Sequence, residues 1–197
     1  MSVMVIYMHP TEDSLNGALL AQVLEEIPEA VLYRPGVDGF DPHLTHKEYK
    51  RSMDGDYEAD VAEAAKDLQA ADHVIFMFPL WWGGFPAAGK GFIDRVFAYG
   101  AAYELEGEEP VPKLTGKASL VFTTGTPEDV FHEEGLYDNV VEGLDKHLLS
   151  FCGLELMDVV HFGDVIQASN EKRADMLNHL REKAAAWQRL HGNESTM

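Results

Sequence analysis

Short apolar runs alternate with amphipathic helical periods along the whole chain, and few architectures accept that rhythm. Val3 to Met8 reads as a strand and is followed by the polar turn His9-Pro10-Thr11-Glu12-Asp13-Ser14. Asp13 or Ser14 can cap the next element, where Leu15, Leu19, Val23 and Ile27 recur at helical spacing. Further strands are predicted at Ala30 to Tyr33, His73 to Phe78, Lys117 to Thr123 and Leu154 to Phe162. Helices are predicted at Tyr57 to Ala70, Pro86 to Phe97, Tyr137 to Phe151 and Ala174 to Leu190. Residues 35–56 are rich in Pro, Gly and Asp and read as irregular, with one turn of helix around Lys47.

This pattern predicts an α/β, flavodoxin-like three-layer sandwich. Five parallel strands in the order 2-1-3-4-5 carry helices on both faces. One domain over residues 1–192 is expected, with 193–197 as a disordered tail. No apolar run approaches the ~20 residues that span a bilayer, so neither membrane insertion nor a secretory leader is expected. The single cysteine, Cys152, lies among Leu148, Leu149, Phe151 and Leu154. It reads as a buried structural thiol in a cytoplasmic, reducing setting. With 34 acidic against 15 basic residues the formal charge is -19, which argues against nucleic acid as a partner. His43 and His46 lack a third ligand, so no metal site is expected.

The stretch Phe78-Pro79-Leu80-Trp81-Trp82-Gly83-Gly84-Phe85-Pro86 joins a buried strand to a helix. In an open α/β sheet the carboxyl ends of the strands form the ligand crevice. Paired tryptophans there supply a flat aromatic wall, and the glycines allow close backbone approach. The turns after the first, third and fourth strands should meet at that edge. The first offers Ser14, Leu15 and Asn16 at a helix N-terminus, a seat for a phosphate. The second is the wall of Pro79, Leu80, Trp81, Trp82 and Gly83, and the third is the polar rim of Thr123, Thr124, Gly125 and Thr126. Singly these residues fit ordinary caps and strand ends; together they describe a flavin nucleotide site.

The motifs His9-Pro10-x-x-x-Ser14-x-Asn16, Phe78-Pro79-Leu80-Trp81-Trp82, Pro86-Ala87-x-x-Lys90-Gly91-x-x-Asp94-Arg95-Val96-Phe97, Ala102-Tyr103 and Thr123-Thr124-Gly125 cover nearly the whole chain. They resemble the NAD(P)H:quinone oxidoreductase family, which is DT-diaphorase-like and includes flavoproteins that regulate potassium efflux. The resemblance implies flavin phosphates near His9, Ser14, Leu15 and Asn16, and the ring against Leu80 to Gly83. It implies the pyrimidine edge at Thr123 to Thr126, with Phe131 nearby. Ala102, Tyr103 and Glu104 fall at the nicotinamide and quinone pocket, beside a loop from Glu104 to Pro112. The implied reaction is a ping-pong pair of hydride transfers, from NAD(P)H to flavin and from flavin to a quinone or similar small electrophile.

Family members place a tyrosine and a histidine after the Thr-Thr-Gly turn as a proton relay. Phe131 and Tyr137 occupy those positions here, with His132 next door, so Tyr137 and His132 are the candidate proton donors. The insertion that helps hold the adenine half of FAD is absent between Met53 and Tyr57, which leaves FMN and FAD open and favours FMN. The resemblance also implies a homodimer. A transporter-binding regulatory flavoprotein and a flavodoxin-like electron carrier are the alternative readings.

Overall fold

The run from Val74 to Phe78 is apolar at every position, as a strand covered on both faces requires. A computed structural model of the chain describes the backbone of residues 2–194 and the side chains of residues 2–190. In it β1 (Val3–Tyr7) and β2 (Val31–Tyr33) precede β3 (His73–Pro79), which is buried at every residue. β4 (Tyr103–Glu106) and β5 (Glu109–Pro112) form a separate antiparallel hairpin. β6 (Lys117–Thr123) and β7 (Glu155–Phe162) complete a parallel sheet in the order β2-β1-β3-β6-β7. Among the sheet strands this is the expected 2-1-3-4-5 order; the intervening hairpin only shifts the numbering.

The pleat sends alternate side chains into two cores. Met4, Ile6, Val74, Phe76, Phe78, Leu120 and Phe122 face α3 (Ala59–Ala70) and α4 (Ala87–Val96). Val3, Val5, Tyr7, Ile75, Met77 and Val121 face α1 (Leu15–Glu26) and α8 (Asn170–Glu194). Full burial of each large apolar side chain contributes about 1.5–3 kcal/mol, so these two layers fix which helix covers which face. α8 runs to Glu194, and the rest of the expected tail, 195–197, lies outside the described residues. Among the described residues no helix is long and apolar enough to cross a membrane.

Three segments differ from expectation. Residues 35–56 contain a two-turn helix, α2 (His46–Ser52), capped by Thr45, whose hydroxyl accepts the Glu48 N–H at 3.1 Å. It is anchored by a buried ion pair, Arg95 Nε to Glu48 Oε1 at 2.7 Å. The expected loop from Glu104 to Pro112 is instead most of the β4–β5 hairpin, with Tyr103 opposite Pro112 and Leu105 opposite Pro110. The prolines disguised it: a free-standing hairpin tolerates the N–H groups they lack, whereas a central strand does not. The helix expected from Tyr137 begins earlier and is broken. α5 (Glu128–Glu133) ends at Gly135 in the left-handed region, and α6 (Leu136–Leu144) runs through a widened turn, Asp145–Leu149, into α7 (Ser150–Cys152).

Candidate active site

The three turns meet at the carboxyl edge of the sheet through side-chain and backbone bonds. Asn16 Nδ2 donates to Thr123 Oγ1 at 3.0 Å, tying the first turn to the third across 107 residues of sequence. Leu80 N–H donates to the Thr123 carbonyl at 2.9 Å, tying the second to the third. The His9 ring lies edge-on to Trp81 with centroids 6.0 Å apart, tying the first to the second.

Within the first turn, Ser14 caps α1 by accepting the Gly17 N–H at 3.1 Å. Tyr7 supports it from below, its hydroxyl donating to the Thr11 carbonyl at 2.7 Å. The chain folds back so tightly that a Cβ on Gly17 would sit 1.9 Å from the Glu12 carbonyl oxygen, so only glycine fits there. Asn16 and Ser14 have spent their side chains on the turns themselves. The backbone N–H groups of Leu15 and Asn16, in the unpaired first turn of α1, are the donors this corner offers an anion.

The second turn is strained. Trp81 and Gly84 exchange backbone bonds, N to O at 3.1 Å and 3.0 Å, around Trp82 and Gly83. Both central residues have positive φ, 53° at Trp82 and 77° at Gly83. Glycine adopts this at no cost; tryptophan does not. The Trp82 side chain is 102% exposed and Trp81 44%. A bulky indole held on left-handed backbone with no packing partner among the described residues is a displayed group, and such strain marks functional positions.

The third turn directs its hydroxyls inward, against expectation. Thr123 is buried and bonded to Asn16, and Thr124 Oγ1 lies 2.9 Å from the Thr126 carbonyl and 2.9 Å from His161 Nε2. Thr124 N–H donates to Phe162 O at 2.9 Å. Phe131 is buried, 4.9 Å from the His161 ring, and lines a pocket of about 310 Å³ with Leu80 and Gly83.

Other expected site residues are distributed differently. Tyr103 packs edge-on to Phe151 at 4.9 Å and shares a groove of about 440 Å³ with Gly84, Phe85 and Phe97, next to the tryptophan turn. Burial raises its pKa. Glu104 pairs with Lys113 across the hairpin. Ala102 is a correction: it is fully buried with both backbone groups bonded, N–H to Ala98 O and carbonyl from Lys113 N–H, so it has no surface for a substrate. His132 and Tyr137 stack on each other at 4.1 Å and line a different pocket, of about 490 Å³, beside the outer edge of β7. Burial raises the pKa of Tyr137, making it a still poorer acid.

Two features of the site escaped the sequence. The turn after β7 bonds onto the rim, Asp164 N–H to Thr126 O at 2.9 Å and Val165 N–H to Thr124 O at 3.2 Å. Its Ile166 is 72% exposed and lies 3.0 Å from where a Cβ of Gly125 would be. A lone apolar residue in a post-strand turn was the available signal. The other is His161, for which sequence offered none; burial pushes its pKa down to about 4, with His132 adding to the shift and Glu128 opposing it.

The family model described as flavodoxin-like fold matches residues 1–184. The chain belongs to that family. An uncharacterized NAD(P)H oxidoreductase of Haemophilus influenzae is 30% identical over 192 residues, covering 94% of this chain and 95% of its own. Human ribosyldihydronicotinamide dehydrogenase [quinone] is 30% identical over 220 residues, covering 95% and 90%. These relatives set the chain in the NAD(P)H:quinone oxidoreductase branch. A Streptococcus mutans protein of solved structure superposes with a TM-score of 0.81 at 27% identity, covering 94% of this chain and 100% of its own. The NAD(P)H:quinone oxidoreductase of Methanothermobacter marburgensis, at 24% identity and a TM-score of 0.77, covers 94% of each chain and shares the fold.

Proposed function

We propose that this chain is a flavin-dependent NAD(P)H oxidoreductase that reduces a quinone or similar small electrophile by two electrons. One observation carries the proposal: Trp82, fully exposed on strained backbone, stands where three turns are bonded together at the carboxyl edge of the sheet. The residues suit a flavin. Gly83 and Gly84 have open space where a Cβ would stand, and the α1 N-terminus supplies anion-facing N–H groups beside the indole wall. The names of the relatives, NAD(P)H oxidoreductase and quinone dehydrogenase, point the same way.

Bound flavin would supply hydride acceptance from a reduced nicotinamide and hydride donation to the acceptor. The chain's own residues bind and orient. Leu15 and Asn16 N–H groups would hold the phosphate, with Ser14 and Gly17 keeping the turn closed. Leu80, Trp81, Trp82 and Gly83 would carry one face of the ring and keep water from it. Backbone N–H groups of Gly125 and Thr126 would meet the pyrimidine edge, since the Thr123 and Thr124 hydroxyls are committed inward. Donors placed there stabilise negative charge. Tyr103, in the groove beside Phe85, would border the space shared by nicotinamide and acceptor. His132 and Tyr137 lie in the pocket beside β7, so the proton is assigned to solvent rather than to either of them. Residues 53–56 close in a tight turn onto Arg51 and Ser52, leaving no lobe for an adenine half; FMN is therefore the proposed cofactor. A second copy of the chain covering the exposed indole is part of the reading.

An anaerobic spectrum of the purified protein with FMN, then with FAD, before and after NADH or NADPH tests it. Tight FMN binding followed by loss of the ~450 nm band on adding nicotinamide is expected. Flavin that binds but is never reduced would overturn the enzyme reading, and failure to bind either flavin would overturn the site.

A further inference from the structure

His161 is set into the back of the rim, stacked on Phe122 with centroids 4.5 Å apart and tilted against Phe131 at 4.9 Å. Its Nε2 is 2.9 Å from Thr124 Oγ1, across 37 residues of sequence. Its Nδ1 is the buried side-chain atom left without a hydrogen-bond partner among the described residues.

The proton positions follow from counting donors. Thr124 has one hydroxyl proton and two neighbours, the Thr126 carbonyl at 2.9 Å and His161 Nε2 at 2.9 Å. A carbonyl only accepts, so the hydroxyl proton points to Thr126. The hydroxyl oxygen must then accept from His161, which requires the neutral ring to carry its proton on Nε2 and leaves the buried Nδ1 as a lone pair without a hydrogen-bond partner among the described residues. Protonating Nδ1 would bury a charge there, which is why the ring stays neutral. The chain of bonds runs His161 Nε2–H to Thr124 Oγ1–H to Thr126 O, and the same carbonyl accepts Asp164 N–H at 2.9 Å.

The consequence is electrostatic. An inward Thr126 carbonyl removes an oxygen that would otherwise face, and repel, an electron-rich ligand edge. On the flavin reading, the Gly125 and Thr126 N–H groups are then what meets the ligand edge. We propose that His161 is a positioning residue of the cofactor rim, locking Thr124 and turning the Thr126 carbonyl away from the flavin's pyrimidine edge. This rests on the flavin reading given above.

Removing the donor while keeping bulk, with His161→Leu, should leave the Thr124 hydroxyl held from one side only, loosen its hold on the Thr126 carbonyl and weaken FMN binding roughly tenfold, the size expected for one well-made bond lost. Thr124→Val should do the same, and the double variant should be no weaker than either single one, because both break one chain. His161→Gln, whose amide nitrogen reproduces the Nε2 donor, should restore binding. The midpoint potential of bound FMN should fall in His161→Leu and Thr124→Val, since reduced, negative flavin loses most, and recover in His161→Gln. Independently of any flavin, histidine-ring ¹⁵N spectra of the apoprotein should show His161 as the Nε2–H tautomer. Wild-type affinity in His161→Leu, additive losses in the double variant, or an Nδ1–H tautomer would each overturn the proposal. A wild-type protein that takes up no FMN while showing the Nε2–H tautomer would overturn the cofactor reading and the positioning role, and leave the His161–Thr124 bond standing.

Discussion

Trp82 makes two demands that conflict. Its φ of 53° costs a residue with a Cβ about 1–2 kcal/mol relative to right-handed backbone. Its exposed ring recovers nothing from packing among the described residues. Holding a large ring out at that cost makes sense when something else covers it. Substituting Trp82 by Ala and by Gly separates the two effects. Both should lose flavin on gel filtration, because both remove the wall. Trp82→Gly should nevertheless be more stable than Trp82→Ala by about 1 kcal/mol, read from urea unfolding, because only glycine relieves the strain. Equal stability would remove the strain from the account, and full flavin retention in both would remove the wall.

Elements here are held by pairs that sequence proximity does not reveal. α2 is short and polar, and alone it would not persist. What fixes it is Glu48, 8% exposed, against Arg95, 5% exposed, with Arg95 Nη1 also donating to the Asp41 carbonyl at 2.7 Å and stacking over Phe40 at 4.8 Å. Glu48→Ala leaves a buried guanidinium without its main partner and should cost about 3–5 kcal/mol. Hydrogen exchange should show protection lost first in residues 46–52. A loss below ~1 kcal/mol would mean that Asp60, 3.2 Å from Nη1, replaces Glu48. This explains why 35–56 reads as irregular with one helical turn at Lys47: the anchor of α2 lies 47 residues on. β3, β6 and α1 were legible because their apolar periods alone specify them. The hairpin was not, because Pro110 and Pro112 speak against a strand unless its exposed position is known.

Across the assembled fold, titration offers a test of how the layers meet. His161 is reached from α5 by Glu128 and His132, from α6 by Tyr137, and its pocket is closed from α8 by Lys172, Asp175, His179 and Lys183. Its pKa falls from 6.5 to about 4 on folding, mainly through burial. Between those values the unfolded chain binds a proton that the native ring refuses, so this group costs stability as pH falls through the window. The chain's charge of -19 acts oppositely, since acidification relieves self-repulsion. Comparing His161→Gln with wild type cancels the common part: the variant's melting temperature should drop less between pH 6.5 and about pH 4. Parallel curves would mean that the ring is protonated freely in the native state. The five sheet strands, their order and the helices α1, α3, α4 and α8 were readable from residue order, because their apolar periods are local. The inward hydroxyls of Thr123 and Thr124, the burial of Ala102, the separate pocket of His132 and Tyr137, and the positions of His161 and Ile166 were not. Each depends on which atoms from distant segments compete for one hydrogen bond or one patch of surface, and that competition exists only once the layers have closed.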